Sequence, residues 1–247
     1  DNMNISDFID KFLNSNQVIL AFGETFHGTH ELAVSAVAKH LNGFAGIFLE
    51  KAVSQQSDVD EYLVKGIVNE KLERHFQNAA KEGKDVRGTL LAILDVARLN
   101  KVPVFCVDSS KEKTEEYSKE ATIGRYFLRG SSRDEDLFEN IQKSITIDKK
   151  YLFFGGFQHL MGGTHFRSGE PTLGSKLRTK YQDGFYSVAI YKLKVEDRNI
   201  IENDIAAFNI KDRSENNSAF EKFVKQSDIE TNNSDGTPKF DGYILHK

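Results

Sequence analysis

Short apolar runs alternate along this chain with segments in which apolar residues recur every three or four positions. The runs are nearly continuously apolar, which is typical of strands covered on both faces. They cover positions 17–22, 45–49, 102–107, 151–154 and 185–191. Each of these five runs is predicted to be a buried strand.

The segments between the runs have the spacing of amphipathic helices. Helices are predicted at 5–13, 31–41, 59–64, 86–99, 134–145 and 173–181. Strand and helix in alternation predict an α/β fold, with a mostly parallel central sheet flanked by helices. We expect one domain over 1–247, because one core is workable up to about 250 residues. The polar segment around 196–235 is predicted to be peripheral, and the alternation in 240–247 predicts a closing strand.

Composition narrows the classes of partner. A formal net charge of -4 and a pI near 6.0 give no basic surface for a phosphate backbone, so we expect a small-molecule or protein substrate and no nucleic acid. No apolar stretch is long enough to span a bilayer. The single cysteine, Cys106, lies in a predicted strand and is expected to be buried. These features favour a soluble, cytoplasmic protein; a first residue other than Met leaves a secreted or effector domain of a larger chain as the alternative.

Ligands of parallel sheets bind where the strands end at their carboxyl edge. Four predicted strands are followed there by reactive side chains, in the strings GETFHGTHE, LEK, VDS and GGFQH. The first, second and fourth strings supply the candidate catalytic residues Glu24, His27, Glu50 and His159. We expect these four side chains to share one crevice.

Glu24 and His27 lie three residues apart in a turn bracketed by glycines. A carboxylate beside an imidazole fixes its tautomer and raises its basicity, as a water-activating base requires. His27 is therefore the candidate general base. The alternative is a helix-capping Glu24 and a turn histidine, and Glu50 alone would fit an exposed ion pair at a strand end. The convergence of two imidazoles with two carboxylates favours a site, and four glycines surround His159 without an apparent packing reason.

Four further residues are candidates for supporting roles. Asp108 either orients a histidine or caps a helix, and Arg133 either neutralises an anionic intermediate or pairs with nearby acids. His30 and Glu31 lie at a predicted helix start, where they either reach the crevice or, for Glu31, favour the helix dipole. The remaining histidines are predicted to be surface residues; they are His40, His75, His165 and His246.

Two common catalytic motifs are absent from the sequence. It contains neither a G-x-S-x-G nucleophile turn nor a G-x-x-x-x-G-K-[ST] phosphate loop. The polar set therefore indicates activated water and no required cofactor. A divalent metal or a haem held by the same imidazoles is the alternative.

These strings resemble the superfamily that joins the erythromycin esterases, the ChaN-type haem-binding proteins and the Tiki/TraB proteases. The resemblance lies in GETFHGTHE, IFLE, SRDEDLFENIQ, GGFQHLMGG, LGSKLRTKY and FDGYILHK, which together span most of the chain. It implies an EreA/ChaN-like fold with its active site at the carboxyl edge of the sheet. It also implies a hydrolase of an ester, lactone or peptide bond, with water activated by Glu24, His27 and His159, and Glu50 as the second carboxylate.

Two departures from the esterase pattern bear on the substrate. Macrolide esterases carry an HNxH string, whereas this chain has Gly156 at the first of those histidine positions. The chain is also short for those enzymes. GGFQH is closer to the GxxH string of the protease branch and of toxin domains with this fold, so a toxin or effector-type protease domain is expected as readily as an esterase. A ChaN-like haem-binding protein and a metal-dependent Tiki/TraB-like protease are the alternatives.

Overall fold

The computed structural model describes most of the chain. The described residues are 4–25, 29–81, 84, 86–110, 112–113, 128–146, 148–165, 169–201, 203–210, 218–227 and 230–247, with the backbone alone at 128–131. Within them, one seven-stranded sheet runs in the order β3-β2-β4-β1-β5-β7-β6. The strands are β1 Ile19–Glu24, β2 Gly46–Ala52, β3 Val104–Asp108, β4 Tyr151–Gly156, β5 Phe185–Lys192, β6 Ile205–Asn209 and β7 Gly242–His246.

The sheet is mostly parallel, as the sequence predicts. Every described pairing is parallel except that of the edge strand β6 with β7. All five predicted buried strands form, and the predicted closing strand is β7, which pairs with β5. β1 extends two residues past its predicted end, and β2 extends three residues past its own. Glu24 and Glu50 therefore lie within the strands and not after them.

Helices cover both faces of this sheet. They are α1 Ile5–Leu13, α2 His30–Ala38, α3 Gln56–Lys65, α4 Glu70–Lys81, α5 Arg87–Asn100, α6 Leu128–Ser144, α7 Phe157–Leu160, α8 Leu173–Tyr181 and α9 Ser218–Ser227. Buried residues of α1 to α5 pack on one face, and those of α6, α8 and α9 pack on the other. All six predicted helices are present. None of the helices in the described ranges is both long and apolar enough to cross a bilayer.

Four of these elements were not predicted: the helices α4, α7 and α9 and the strand β6. The helix α4 buries Leu72, Phe76 and Ala79, which have the four- and three-residue spacing of an amphipathic helix. Few apolar residues carry this pattern, and it was not used in the prediction. The strand β6 lies inside the segment predicted to be peripheral, and its IAAF run is short. An edge strand has a neighbouring strand on one side only, so it buries fewer side chains than a central strand does. Its pattern of apolar residues is correspondingly weak. Part of the predicted peripheral segment therefore forms an edge of the sheet.

Candidate functional site

The carboxyl edge of four adjacent strands brings the candidate residues into one row. Glu24 on β1 stands in register with Gly156 at the end of β4. β2, which carries Glu50, is the other neighbour of β4, and β3 ends at Asp108 on the far side of β2. The order β3-β2-β4-β1 thus places these strand ends side by side, with His159 in the short helix that follows β4.

Glu50 is held by three groups from three elements. Its Oε1 accepts a hydrogen bond of 2.8 Å from the Arg133 guanidinium, and its Oε2 accepts one of 2.5 Å from the backbone N–H of Gly156. Nε2 of His159 lies 3.4 Å from the same Oε1. The side chain is only 18% exposed, so Glu50 is not the solvated ion pair of the alternative prediction.

Arg133 bridges Glu50 to Asp108. Its Nε donates to Asp108 at 2.8 Å, and its terminal nitrogen donates to the other oxygen of that carboxylate. Asp108 also accepts from the backbone N–H of Ser109 at 2.7 Å. Of the two predicted roles for Arg133, pairing with nearby acids is the one present in this structure.

His159 lies between two carboxylates. Its Nδ1 hydrogen-bonds Asp134, which has no solvent exposure, and its Nε2 faces Glu50. Asp134 in turn accepts from Nε2 of His165 at 2.7 Å and from the backbone N–H of Leu173 at 2.7 Å. We call the set Glu50, Asp108, Arg133, Asp134, His159 and His165 the strand-end cluster.

The charges of the strand-end cluster stabilise one another. Burial lowers the pKa of His159, but the neighbouring charges of Glu50 and Asp134 outweigh it and raise the pKa to about 9. Burial alone would raise the pKa of Glu50, yet His159, Arg133 and the Gly156 N–H bring it below its usual range. The pKa of Asp134 is lowered in the same way, against burial, by its two histidines. His159 is therefore an imidazolium at neutral pH.

Glu24 lies against a different histidine. Nδ1 of His30 is 3.4 Å from the Glu24 carboxylate, and Nε2 of His30 donates to the carbonyl oxygen of Phe22 at 3.0 Å. Burial lowers the pKa of His30 even though Glu24 and Glu50 act to raise it, which keeps this imidazole neutral. His30 is thus buried against Glu24, one of the four candidate catalytic residues, and its supporting role stays a prediction.

Two candidate residues are not part of the arrangement described so far. His27 lies outside the described residues, so its role as general base stays a prediction. Glu31 is exposed, and its carboxylate lies against Gly88 in the first turn of α5. Its contact is with another helix N-terminus, not with the strand-end cluster.

The glycines around His159 have packing reasons that the sequence did not reveal. A Cβ at Gly156 would meet the Glu50 carboxylate at 3.2 Å, and one at Gly163, where φ is +99°, would meet Asn233 at 2.4 Å. Gly156 lets Glu50 reach the backbone of β4. Gly163 allows the chain after His159 to turn against a neighbouring loop.

Sequence reasoning missed Asp134 and His165. Asp134 shares a helical face with the buried Leu137 and Ile141, so an acid within an apolar stripe was the available signal. His165 was predicted to lie on the surface, but its side chain is 17% exposed and bonded to Asp134. No local pattern marks His165, because its partner is 31 positions away.

Neither a metal nor a haem fits the described histidines well. No group of three or more potential ligands converges within the described residues. Both ring nitrogens of His159 and of His30 face a protein oxygen. An axial haem bond from either imidazole would have to break one of these contacts.

Comparison with solved structures identifies the fold. A Bacillus cereus protein matches with a TM-score of 0.64 and 14% identity, over 99% of this chain and 92% of its own. An erythromycin esterase, EreC H289N in its open conformation, matches with a TM-score of 0.61 and 12% identity, over 98% and 94%. ChaN of Campylobacter jejuni, described with cofacial haem binding, matches with a TM-score of 0.54 and 10% identity, over 100% and 93%.

This chain has the fold of erythromycin esterase and ChaN. A MARTX toxin effector domain from Vibrio vulnificus shares part of it, over 76% of this chain and 36% of the toxin chain. No protein-family profile matches the sequence, and no curated protein matches it. The fold therefore allows a hydrolase, and the choice of activity depends on the side chains at the strand ends.

Proposed function

We propose that this protein is a hydrolase that activates water at the carboxyl edge of β1, β2 and β4 and cleaves an ester, lactone or peptide bond. The observation that carries the proposal is the position of the buried His159 between the carboxylates of Asp134 and Glu50, whose charges raise its pKa to about 9 and favour the imidazolium. A fixed positive charge at a strand end is suited to stabilise the oxyanion that forms when water attacks a carbonyl carbon.

His27 is the proposed base that takes the proton from the attacking water, with Glu24 as the carboxylate beside it in sequence. The water oxygen bonds to the carbonyl carbon, and the carbonyl oxygen becomes an oxyanion next to His159. Collapse of this intermediate expels the alcohol or amine, which takes from His27 the proton that His27 removed from the water. Glu50 and Asp134 hold the His159 ring in place and keep it charged. The Gly156 N–H already bonds Glu50, so it is not part of the oxyanion site.

The proposal is tested with a panel of esters, lactones and peptides. We expect turnover by the native chain, none by His27→Ala, and full turnover by the control His40→Gln, whose imidazole bonds Ser6 at 2.6 Å near α1. Far-ultraviolet circular dichroism checks that each variant is folded. Retained turnover in His27→Ala would contradict the proposal.

A chelator and haem separate the alternatives. Turnover that survives chelation indicates metal-independent water activation, whereas loss on chelation and recovery with one added metal indicates a metallohydrolase. Absence of turnover on the whole panel, together with a Soret shift on adding haem, would favour the ChaN-like binding protein.

A further inference from the structure

Lys51 occupies an irregular position at the same strand edge. In the ladder between β2 and β3, Leu49 pairs with Cys106 and Ala52 pairs with Asp108, so Glu50 and Lys51 together stand opposite Val107 alone. A bulge of this kind interrupts the alternation of side chains and re-aims them. Glu50 turns to β4, and Lys51 turns to the helix α4.

On α4, the ammonium of Lys51 meets another base. Its Nζ lies 3.4 Å from Nε2 of His75, and both side chains are half-buried. The imidazole can accept one of the three ammonium N–H groups. Among the described residues, no other acceptor lies within hydrogen-bond distance of the Lys51 ammonium. Two basic groups thus face each other beside the carboxyl end of β2.

The counter-charges of this pair are distant. In the part of the chain that the structure describes, no carboxylate lies within ion-pair distance of Lys51, whereas Arg133 and His159 each have two. Glu50 and Asp108 are already engaged by those cations. The charges of Glu50, Glu24 and Asp108 act on Lys51 only at longer range.

The environment opposes the charged form of both bases. Burial lowers the pKa of Lys51, and the carboxylates at longer range do not compensate for it. Burial and the charge of Lys51 lower the pKa of His75. A buried ammonium without a counter-ion in contact is unfavourable, and an anion placed beside it would relieve that cost.

We propose that Lys51 and His75 form a subsite for an anionic oxygen group, a carboxylate or a phosphate, carried by the substrate near the bond that is cleaved. That the anion belongs to a substrate rests on the proposed hydrolase function. The subsite itself rests on the bulge, the contact between Lys51 and His75, and the absence of a contacting carboxylate among the described residues. The protein would then prefer acidic substrates over neutral ones of the same shape.

Binding is tested without turnover. Acetate and inorganic phosphate are titrated separately into the chain labelled at its histidine rings, and the His75 resonance is followed by NMR, with His75→Gln used for its assignment. We expect saturable shifts with at least one anion and a higher His75 pKa in its presence. The dissociation constant should rise at least about tenfold in Lys51→Met, which keeps the apolar stem but loses a charge-assisted hydrogen bond.

The matched control is Lys71→Met, which removes one exposed lysine charge a turn before His75 on α4. Its anion affinity should equal that of the native chain. Equal affinity in Lys51→Met, or no saturable shift with either anion, would overturn the subsite. If the Lys51 ammonium only offsets the carboxylates at longer range, neither anion will give a saturable shift.

A kinetic measurement separates this inference from the proposed hydrolase activity. The ratio of kcat/KM for a carboxylate-bearing ester to that for its neutral methyl ester should fall about tenfold in Lys51→Met and stay unchanged in Lys71→Met. Anion binding that depends on Lys51 in a chain without turnover would uphold the subsite and refute the hydrolase. Turnover with an unchanged ratio in Lys51→Met would refute the assignment to substrate binding.

Discussion

Asp134 and His159 form a hydrogen-bonded pair in which the carboxylate has no contact with solvent. Asp134 comes from α6 and His159 from the turn after β4, so the pair joins the two elements that border the candidate crevice. Because Asp134 also holds His165 and the first N–H of α8, one side chain fixes three segments. Together with Glu50, it raises the pKa of His159.

Asp134→Asn is expected to lower the pKa of His159 from about 9, because one of the two carboxylates that favour the imidazolium is removed. The free energy of unfolding should also fall by about 3 kcal/mol, since the buried partners of Asp134 lose the carboxylate charge that compensates them. An NMR titration of the His159 ring and urea unfolding measure the two effects. Glu135→Gln, at an exposed neighbouring position, is the control. An unchanged His159 pKa in Asp134→Asn would refute this account of the imidazolium.

The unfolding free energy is expected to fall as the solution becomes alkaline. The pKa of His159 is about 9 in the folded chain against an ordinary value of 6.5, so its stabilisation is complete below pH 6.5 and lost as the pH rises through about 9. The loss is on the order of 3 kcal/mol. Urea unfolding at successive pH values measures it, and His159→Gln should flatten the curve in this range. A native curve that is already flat from pH 6.5 to 9 would contradict the raised pKa.

The acidic side of the same curve has the opposite sign. The pKa values of Glu50 and Asp134 are lowered from ordinary values of 4.5 and 3.8. Their stabilisation is present above these ordinary values and is lost as the pH falls through the lowered ones. The strand-end cluster should therefore contribute most to stability between about pH 5 and 6.5. The same urea series, extended to pH 3, tests this; stability that does not decline at low pH would contradict it.

Gly174→Ala is expected to displace the turn that carries His159. A Cβ at Gly174 would lie 2.2 Å from the carbonyl oxygen of Leu160 and 2.5 Å from that of Met161, so α8 or the turn must move. The cost should be at least about 1–3 kcal/mol, with loss of turnover. Thermal unfolding and the hydrolysis assay measure both effects.

The control for Gly174→Ala is another helical glycine. Among the described residues, a Cβ at Gly88 would meet only the flexible Glu31 carboxylate, at 2.8 Å, which is exposed and can move aside. Gly88→Ala should therefore be neutral or stabilising by up to about 1 kcal/mol, the difference in helix propensity. Equal stability of the two alanine variants would show that the close approach of α8 has no cost.

Cys106 is expected to resist thiol reagents in the folded chain. It is buried on β3, and burial raises the pKa of its thiol to about 12, so the reactive thiolate is scarce. A colorimetric disulfide reagent should react slowly with the native chain and within the mixing time in concentrated urea. Turnover should survive alkylating reagents, whereas rapid inactivation would indicate a cysteine-dependent reaction.

Among the described elements, the sequence by itself determined six of the seven strands, six of the nine helices and the edge that carries the candidate site. Apolar runs such as YLFF are long and uniform enough to identify β4, and strand-end chemistry follows from parallel topology. Glu50 and His159 could be assigned to one edge of the sheet because Glu50 directly follows one such run and His159 lies five residues after another. These inferences need only local patterns and one rule about parallel sheets.

Only the tertiary structure decided which side chains touch. The order β3-β2-β4-β1 is not written in the sequence, and it is this order that places Glu50 beside the end of β4. Asp134 and His165 entered the site through contacts across 25 and 31 positions. The protonation of His159 follows from those contacts, because a pKa depends on the charges around a buried group and not on its neighbours along the chain.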